Sequence, residues 1–309
     1  MTRAMILAAG LGLRMRPLSE LCAKPALPVR GTPVIAYLLE LLKRHGVREV
    51  MVNLHHLKDS VREAVHEFQP SGIEVSFSDE PELLGTGGGI RQAREFLMQS
   101  DPCLVLAGDM LLDLDLAALV SRHRKRGDLA TLVLREDSRV GRFGSIGISK
   151  GGAVRRIAES FDLGGEHAAG VFTSVRVFSP AALESLPERD CFEDLRDWLV
   201  PMLKDNTGGI TGELLAQDRC SWEPVGTPEE YLAVNFHPPS LSFIDNDARA
   251  TERGVKIKHE LVVGARATLG AGAKLSRCVV WDGESVPAGT VATQGVFAQG
   301  RFISCGEPV

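Results

Sequence analysis

Residues 4–17 read AMILAAGLGLRMRP. The first part is a short apolar run of the kind that forms a buried strand. It ends at Gly10 and Gly12, and glycine just past a strand marks a backbone that turns tightly or leaves room for something. Arg14 and Arg16 follow at once, and Lys24 comes a little later. Cations gathered beside such a loop point to an anion. The loop's own N–H groups add donors, so a polyphosphate is the fitting guest.

Working outward, apolar runs alternate with amphipathic ones. Residues 33–46, PVIAYLLELLKRHG, place Pro33 in a first helical turn and Gly46 at the stop. REVMVNL (48–54), IEVSFS (73–78), CLVLAGD (103–109) and LATLVLR (129–135) read as strands. Residues 59–68, 90–98 and 116–126 read as helices between them. Strands separated by helices predict parallel βαβ units in a layered, Rossmann-like α/β sheet domain. From about Ser145 the texture is richer in strand, with SIGIS and AVRRIAE joined across Gly151-Gly152. Residues 193–203 and 229–236 read as further helices.

After Pro238-Pro239 the pattern changes again. Ile257, Val263, Leu269, Leu275 and Trp281 fall six residues apart, with Gly264, Ala267, Gly270, Ala273 and Ser276 between them. A six-residue period of one bulky and several small residues predicts a hexapeptide-repeat β-helix, with small residues at the corners. The expected division is residues 1–238 for the α/β domain and 239–309 for a short left-handed β-helix. So short a coil cannot bury its apolar face alone, and must pack on the first domain or a second subunit.

Composition narrows the function classes. The chain has 309 residues, 44% hydrophobic and 24% charged, with net charge −5. The isoelectric point is about 5.9, which argues against nucleic acid as a partner. No apolar run approaches the roughly 20 residues that span a bilayer, so no membrane partner and a cytoplasmic location are expected. Six cysteines lie far apart with no CxxC pair, which argues for reduced thiols rather than zinc or a disulfide framework.

The glycine loop is not a dinucleotide fingerprint, because the third glycine of G-x-G-x-x-G would fall at Met15, and no acidic residue ends the second strand near Asn53. It is not a P-loop either, since no Gly-Lys-Ser/Thr follows. Residues 7–29, LAAGLGLRMRPLSELCAKPALPV, instead resemble the N-terminal signature of the sugar-1-phosphate nucleotidylyltransferases. The resemblance runs on in order through LLGTGGGI (83–90), LAGDM (106–110), FTSVRVFSP (172–180) and WEPVGTPEEYLAVN (222–235). Members with a C-terminal left-handed β-helix include mannose-1-phosphate guanylyltransferases.

The resemblance implies transfer of a nucleotidyl group to a sugar 1-phosphate, with pyrophosphate leaving and Mg²⁺ as cofactor. It assigns Arg14, Lys24 and Asp109 to catalysis, with Arg16 as a second cation nearby. Ala8, Ala9, Gly10, Gly12, Leu84, Gly87 and Gly88 would hold the nucleotide; Gly87, Gly88 and Gly89 would let its base lie on bare backbone. Glu80, just upstream, is an acceptor for base or sugar. Gly144, Glu159, Ser174 and Arg176 would face the sugar phosphate. Asp109 suits a hard cation at the carboxyl edge of a sheet, while Asp113 and Asp115 suit helix capping.

Three positions depart from the family pattern, one of them Ser174, where the sugar-pocket strand usually has Gly. The usual second metal-ligand Asp is replaced by Pro224, leaving the neighbouring Glu223 as the stand-in ligand. Ser160 stands where the family has Lys, which makes Arg176 the candidate cation for the sugar phosphate. GTP with mannose 1-phosphate is the expected pair. Uridylyl transfer to a sugar such as N-acetylmuramic acid 1-phosphate, a non-catalytic nucleotide-sugar-binding regulatory paralogue, and cytidylyl transfer to phosphocholine are the alternatives. A homo-oligomer through the β-helix is a further expectation.

Overall fold

The structure is a computed structural model and describes residues 2–205 and 208–306. At its centre lies β1 (Ala4–Leu7), flanked by β2 (Glu49–Leu54) on one side and β4 (Cys103–Ala107) on the other, both parallel to it. β3 (Glu74–Asp79) continues the parallel set beyond β2. Side chains alternate along a strand. Thus Ala4 and Ile6 enter one core with α1 (Val34–Arg44), α2 (Lys58–Phe68) and α4 (Leu116–Arg126). Met5 enters a second core, on the other face, with Ile90, Phe178 and Trp198. Both faces of the sheet are covered, and this is why the strands read as continuous apolar runs rather than as alternating ones.

Past β4 the sheet turns antiparallel. The long β9 (Ala168–Phe178) pairs through its C-terminal end with β4, and through its N-terminal end with β7 (Ile146–Ile148). β8 (Val154–Ile157) forms the expected hairpin with β7. β6 (Ala130–Arg135) runs antiparallel to β9, with β10 (Ile210–Leu215) parallel beside it. The parallel βαβ reading therefore holds for the first strands, and the sheet as a whole is mixed. A separate antiparallel pair joins β5 (Met110–Asp113) to β11 (Ser221–Pro224).

One element differs in kind from expectation. The glycine run is not a loop before a helix: it is the helix, α3 (Gly85–Gln92). Its neighbours supply the reason. Gly87 N–H and Gly88 N–H both donate to Phe192 O, at 2.9 and 3.2 Å. Tertiary contact thus holds a segment that glycine entropy would otherwise loosen.

The C-terminal strands stack in parallel. Leu261 pairs with Cys278 and Cys278 with Gly295, seventeen residues a step. Thr268 and Ser285 pair at the same step. Strict six-residue spacing requires eighteen, so the expected apolar column slips. Leu269, expected inside, is 43% exposed. The buried columns are Val262, Val279, Val296 and their neighbours Val263, Val280, Phe297. Two of the small residues stand at close approaches. A Cβ on Gly264 would fall 2.5 Å from Asp282 Cα, and one on Gly270 2.3 Å from Ala288 N.

This tail does not stand apart. Val262, Val279 and Val296 share one cluster with Met15, Leu18, Val34 and Tyr37 of the α/β body. Tyr231, on α5 (Pro228–Phe236), donates its hydroxyl to Pro28 O at 2.7 Å and accepts from Trp281 Nε1 at 2.9 Å. Tyr231→Phe strands a buried carbonyl and an indole N–H together. We expect a loss of about 1–3 kcal/mol in urea unfolding. A change below about 0.5 kcal/mol, the range of ordinary surface substitutions, would show that the joint is not stabilising.

Candidate active site

The carboxyl ends of β1, β2 and β4 open onto a cavity of about 270 Å³, the place where open α/β sheets hold ligands. Its floor is the loop that follows β1. Asn53, at the end of β2, accepts the Ala8 N–H at 2.8 Å. Ser19 Oγ donates to Gly12 O at 2.8 Å and closes the far end of the loop. Gly12 sits at φ 66°, in the left-handed region, and a Cβ there would strike Ser19 at 2.8 Å. Gly10 is different. No atom lies within 4 Å of where its Cβ would stand, so its backbone is open to a guest.

Opposite the loop, Asp109 follows Gly108, whose N–H bonds to Leu7 O at 2.9 Å. That bond ties the end of β4 to the end of β1. Lys24, in the turn Lys24–Ala26, reaches across and donates from Nζ to Asp109 Oδ2 at 3.2 Å. Ala8, Ala9, Gly10, Gly12, Lys24, Asp109, Ser174 and Arg176 all line the cavity. Residues separated by more than 150 positions are thereby brought together.

Other expected residues are placed elsewhere. Arg14 lies exposed on the turn Leu13–Met15, outside the cavity lining. One of its Nη atoms would be 3.5 Å from a Cβ on Gly226, so it stands beside residues 222–235 at the rim. Gly87 and Gly88 do not face the cavity. A Cβ on Gly87 would fall 2.3 Å from the Phe192 ring, and one on Gly88 2.0 Å from Asp190 O. Gly89 faces Asn53 and Glu80 in the same way. These glycines make room for protein, not for a base. Leu84 likewise packs inward against Gly88, while Leu83, Gly85 and Thr86 line the cavity instead.

On the β9 side of the cavity, Ser174 lies at φ 62° where the register of that strand shifts. Arg176 is no spare cation. It forms a buried pair with Asp194, donates to Ser174 O at 3.1 Å and stacks on Phe172. Gly144 and Glu159 lie outside the cavity lining. A Cβ on Gly144 would meet Ala158 at 4.0 Å, and Glu159 is exposed on the next residue.

The expected metal pair is not formed. Glu223 sits opposite Leu111 in the β5–β11 ladder, and its Oε2 accepts from Arg139 at 2.7 Å. Arg139 is itself anchored by Asp137, at 2.8 and 2.9 Å, and lies over Trp222. Among the described residues no three acidic, histidine or cysteine side chains gather where they could hold a metal ion. A hard divalent cation takes about six oxygen ligands, and Asp109 alone does not fit a resident one. Asp115 caps α4 as expected, accepting from Ala118 N at 2.9 Å. Asp113 instead accepts from Ser242 Oγ at 3.2 Å and so ties β5 to the tail.

Sequence reading missed Asn53, Thr86 and Glu193 as cavity residues. Asn53 had a signal: a buried polar side chain at the carboxyl end of a parallel strand. Its Nδ2 donates to Glu80 Oε1 at 2.6 Å, and Glu80 Oε2 accepts Leu84 N–H at 3.1 Å. Glu80 is thus a structural acceptor. Glu193 had no signal, because only the fold brings its Oε2 to within 2.7 Å of Thr86 Oγ1. All six cysteines are free, and burial pushes the Cys103 and Cys220 thiols up to about 12. No helix among the described residues is long and apolar enough to cross a membrane.

The chain is similar to known proteins. The family model described as nucleotidyl transferase matches residues 3–237. A UTP–glucose-1-phosphate uridylyltransferase of Synechocystis sp. is 30% identical over 241 residues, covering 74% of this chain and 61% of that protein. A mannose-1-phosphate guanylyltransferase of Mycobacterium tuberculosis is 28% identical over 303 residues, covering 93% of this chain and 82% of that one. The crystal structure of HddC from Yersinia pseudotuberculosis complexed with GMP-PN superposes with a TM-score of 0.63 at 26% identity, covering 76% of this chain and 98% of that one.

Two outcomes follow from the packing. Gly88→Ala forces a Cβ into Asp190 O, and should cost about 1–3 kcal/mol in urea unfolding, as overpacking does. Gly10→Ala, with open space around it, should cost less. Hydrogen bonds from Arg139 hold the Asp137 carboxyl down at about 2. A depressed carboxyl is less protonated folded than unfolded, so its stabilisation is present above about pH 4 and lost as pH falls towards 2. The stability gap between the wild type and Asp137→Asn should therefore close between those pH values. A gap independent of pH would refute the assignment.

Proposed function

The chain belongs to the nucleotidyl transferase family, and within it we propose that it joins a nucleoside triphosphate to a sugar 1-phosphate, giving the nucleotide sugar and pyrophosphate. The observation that carries this reading is the open loop 8–12 facing Lys24 and Asp109 across one cavity. A phosphate oxygen of the sugar attacks the α-phosphorus in line. The new P–O bond forms as the bond to the β-phosphate breaks, and the electron pair leaves with pyrophosphate. No protein nucleophile is needed, so the protein's task is to align two anions and offset their charge.

Each residue's part follows from its place. Gly10 and its neighbours offer backbone N–H groups to the triphosphate. Lys24 supplies a mobile positive charge inside the cavity, and Arg14 a second one at the rim. Ser174 and Arg176 form the wall on the sugar side, with Arg176 acting through its hold on Ser174 O rather than as a free charge. Mg²⁺ is the cofactor in this reading, as the hard partner of triphosphate oxygens.

GTP with mannose 1-phosphate is the preferred pair, supported by the guanylyltransferase relative that aligns over most of this chain. The Synechocystis relative is named for UTP and glucose 1-phosphate, which makes uridylyl transfer the second reading. The chain spans 61% of that relative. We also read residues 239–309 as a short left-handed β-helix set against a 1–238 catalytic unit, with a cytoplasmic setting and self-association through the tail.

Pyrophosphate release, measured over a panel of triphosphates and sugar 1-phosphates, tests this reading. We expect turnover with GTP and mannose 1-phosphate, and its loss in Asp109→Asn with circular dichroism unchanged. Nucleotide binding without turnover for any pair would point to a regulatory paralogue. A near-normal rate in Asp109→Asn would remove that residue from the chemistry.

A further inference from the structure

The carboxylates near the cavity differ in what holds them. Asp109 lies beside Lys24, and Asp194 forms a buried pair with Arg176. Glu80 is buried and accepts from Asn53 and from Leu84 N–H. Glu193 is half-buried, lines the cavity and forms no ion pair among the described residues. Its Oε2 accepts the Thr86 hydroxyl at 2.7 Å and the Thr86 N–H at 3.4 Å. Its Oε1 has no donor among the described residues. Gly85 leaves that oxygen uncovered, since a Cβ there would stand 3.0 Å from it. The backbone on either side is tied down. Glu193 N–H donates to Asp197 Oδ2 at 2.8 Å, and Asp194 N–H donates to Thr86 Oγ1 at 3.0 Å. Through Asp194 and Arg176 the segment is fixed to Ser174 O on β9. Glu159, the carboxylate expected on this side, lies outside the lining, so Glu193 is the acidic group that the β9 side of the cavity presents.

We propose that Glu193 sets the sugar class of this cavity: its Oε1 accepts from a hydroxyl of a neutral sugar, and its unpaired charge excludes sugars that carry a carboxylate. The inference rests on the nucleotide-sugar reading above and narrows it. No covalent bond changes. A half-buried carboxylate oxygen without a donor is costly, and a sugar hydroxyl that donates to it removes that cost with a charge-assisted hydrogen bond. A second carboxylate in the same place donates nothing and adds like-charge repulsion, which is stronger beside a protein wall than in open water. Since Thr86 and the Arg176–Asp194 pair hold the segment, Glu193 cannot swing clear without breaking buried bonds. N-acetylmuramic acid 1-phosphate, which carries a carboxylate, is thereby disfavoured as a substrate.

Calorimetric Kd values for nucleotide sugars that differ only at C6 test this on the full chain without turnover. The pairs are UDP-glucose with UDP-glucuronic acid, and GDP-mannose with GDP-mannuronic acid. In whichever pair binds, the wild type should hold the neutral member at least about ten-fold more tightly, the size of one like charge nearby in a wet site. Glu193→Gln keeps the side chain's shape and loses its charge, and should narrow that ratio about ten-fold. Glu193→Ala removes the acceptor and should weaken the neutral member about ten-fold, as loss of a hydrogen bond to a charged group does. The ratio is internal to each protein, so a general loosening of the site lowers both affinities and leaves it unmoved. A wild type that binds both members alike, a ratio unchanged in Glu193→Gln, or full affinity for the neutral sugar in Glu193→Ala would overturn the proposal and leave the nucleotide-sugar reading standing. Failure of all four nucleotide sugars to bind the wild type would overturn that reading itself.

Discussion

A single buried amide holds the cavity in shape. Asn53 Oδ1 accepts from the loop after β1, and Asn53 Nδ2 donates to Glu80 at the end of β3. Both side chains are almost wholly buried, where an unpaired polar group is costly. The amide therefore cannot relax its geometry without exposing one bond or the other. Through Glu80 it also holds Leu84 N–H, just before α3. The glycine loop after β1 and the helix α3 beside it are thereby set at one distance from each other.

The glycines of α3 obey a second constraint. They look like space left for a ligand, yet the space is filled by residues 190–194. Phe192 takes two N–H groups of the helix on its carbonyl and presses its ring where Gly87 has no side chain. Thr86 then bonds to Glu193 and Asp194, and Asp194 neutralises Arg176. One short segment thus links α3 on one side of the cavity to β9 on the other. This arrangement turns Arg176 from a ligand cation into part of the wall.

The same logic governs the charges. Opposite charges are paired inside the protein wherever the chain can reach, as in Arg139 with Asp137 and Glu223. What is left facing the cavity is small: the open backbone at Gly10, the pair of Lys24 and Asp109, and Glu193, with Arg14 at the rim.

Local chemistry was legible from residue order alone. The apolar run of β1, the turn at Gly10 and Gly12, the strand–helix alternation and the cations near the loop all act over a few residues, and all appear where the sequence put them. The N-terminal half of the cavity lining follows from the same signature. What only the tertiary structure decided is which of those groups remain free. Gly87 and Gly88 are covered, Arg176 and Glu223 are paired, Gly144 and Glu159 lie aside, and the tail repeats every seventeen residues rather than eighteen. Each outcome turns on a partner more than about a dozen positions away, and long-range contacts leave no periodic or local trace in the chain that makes them.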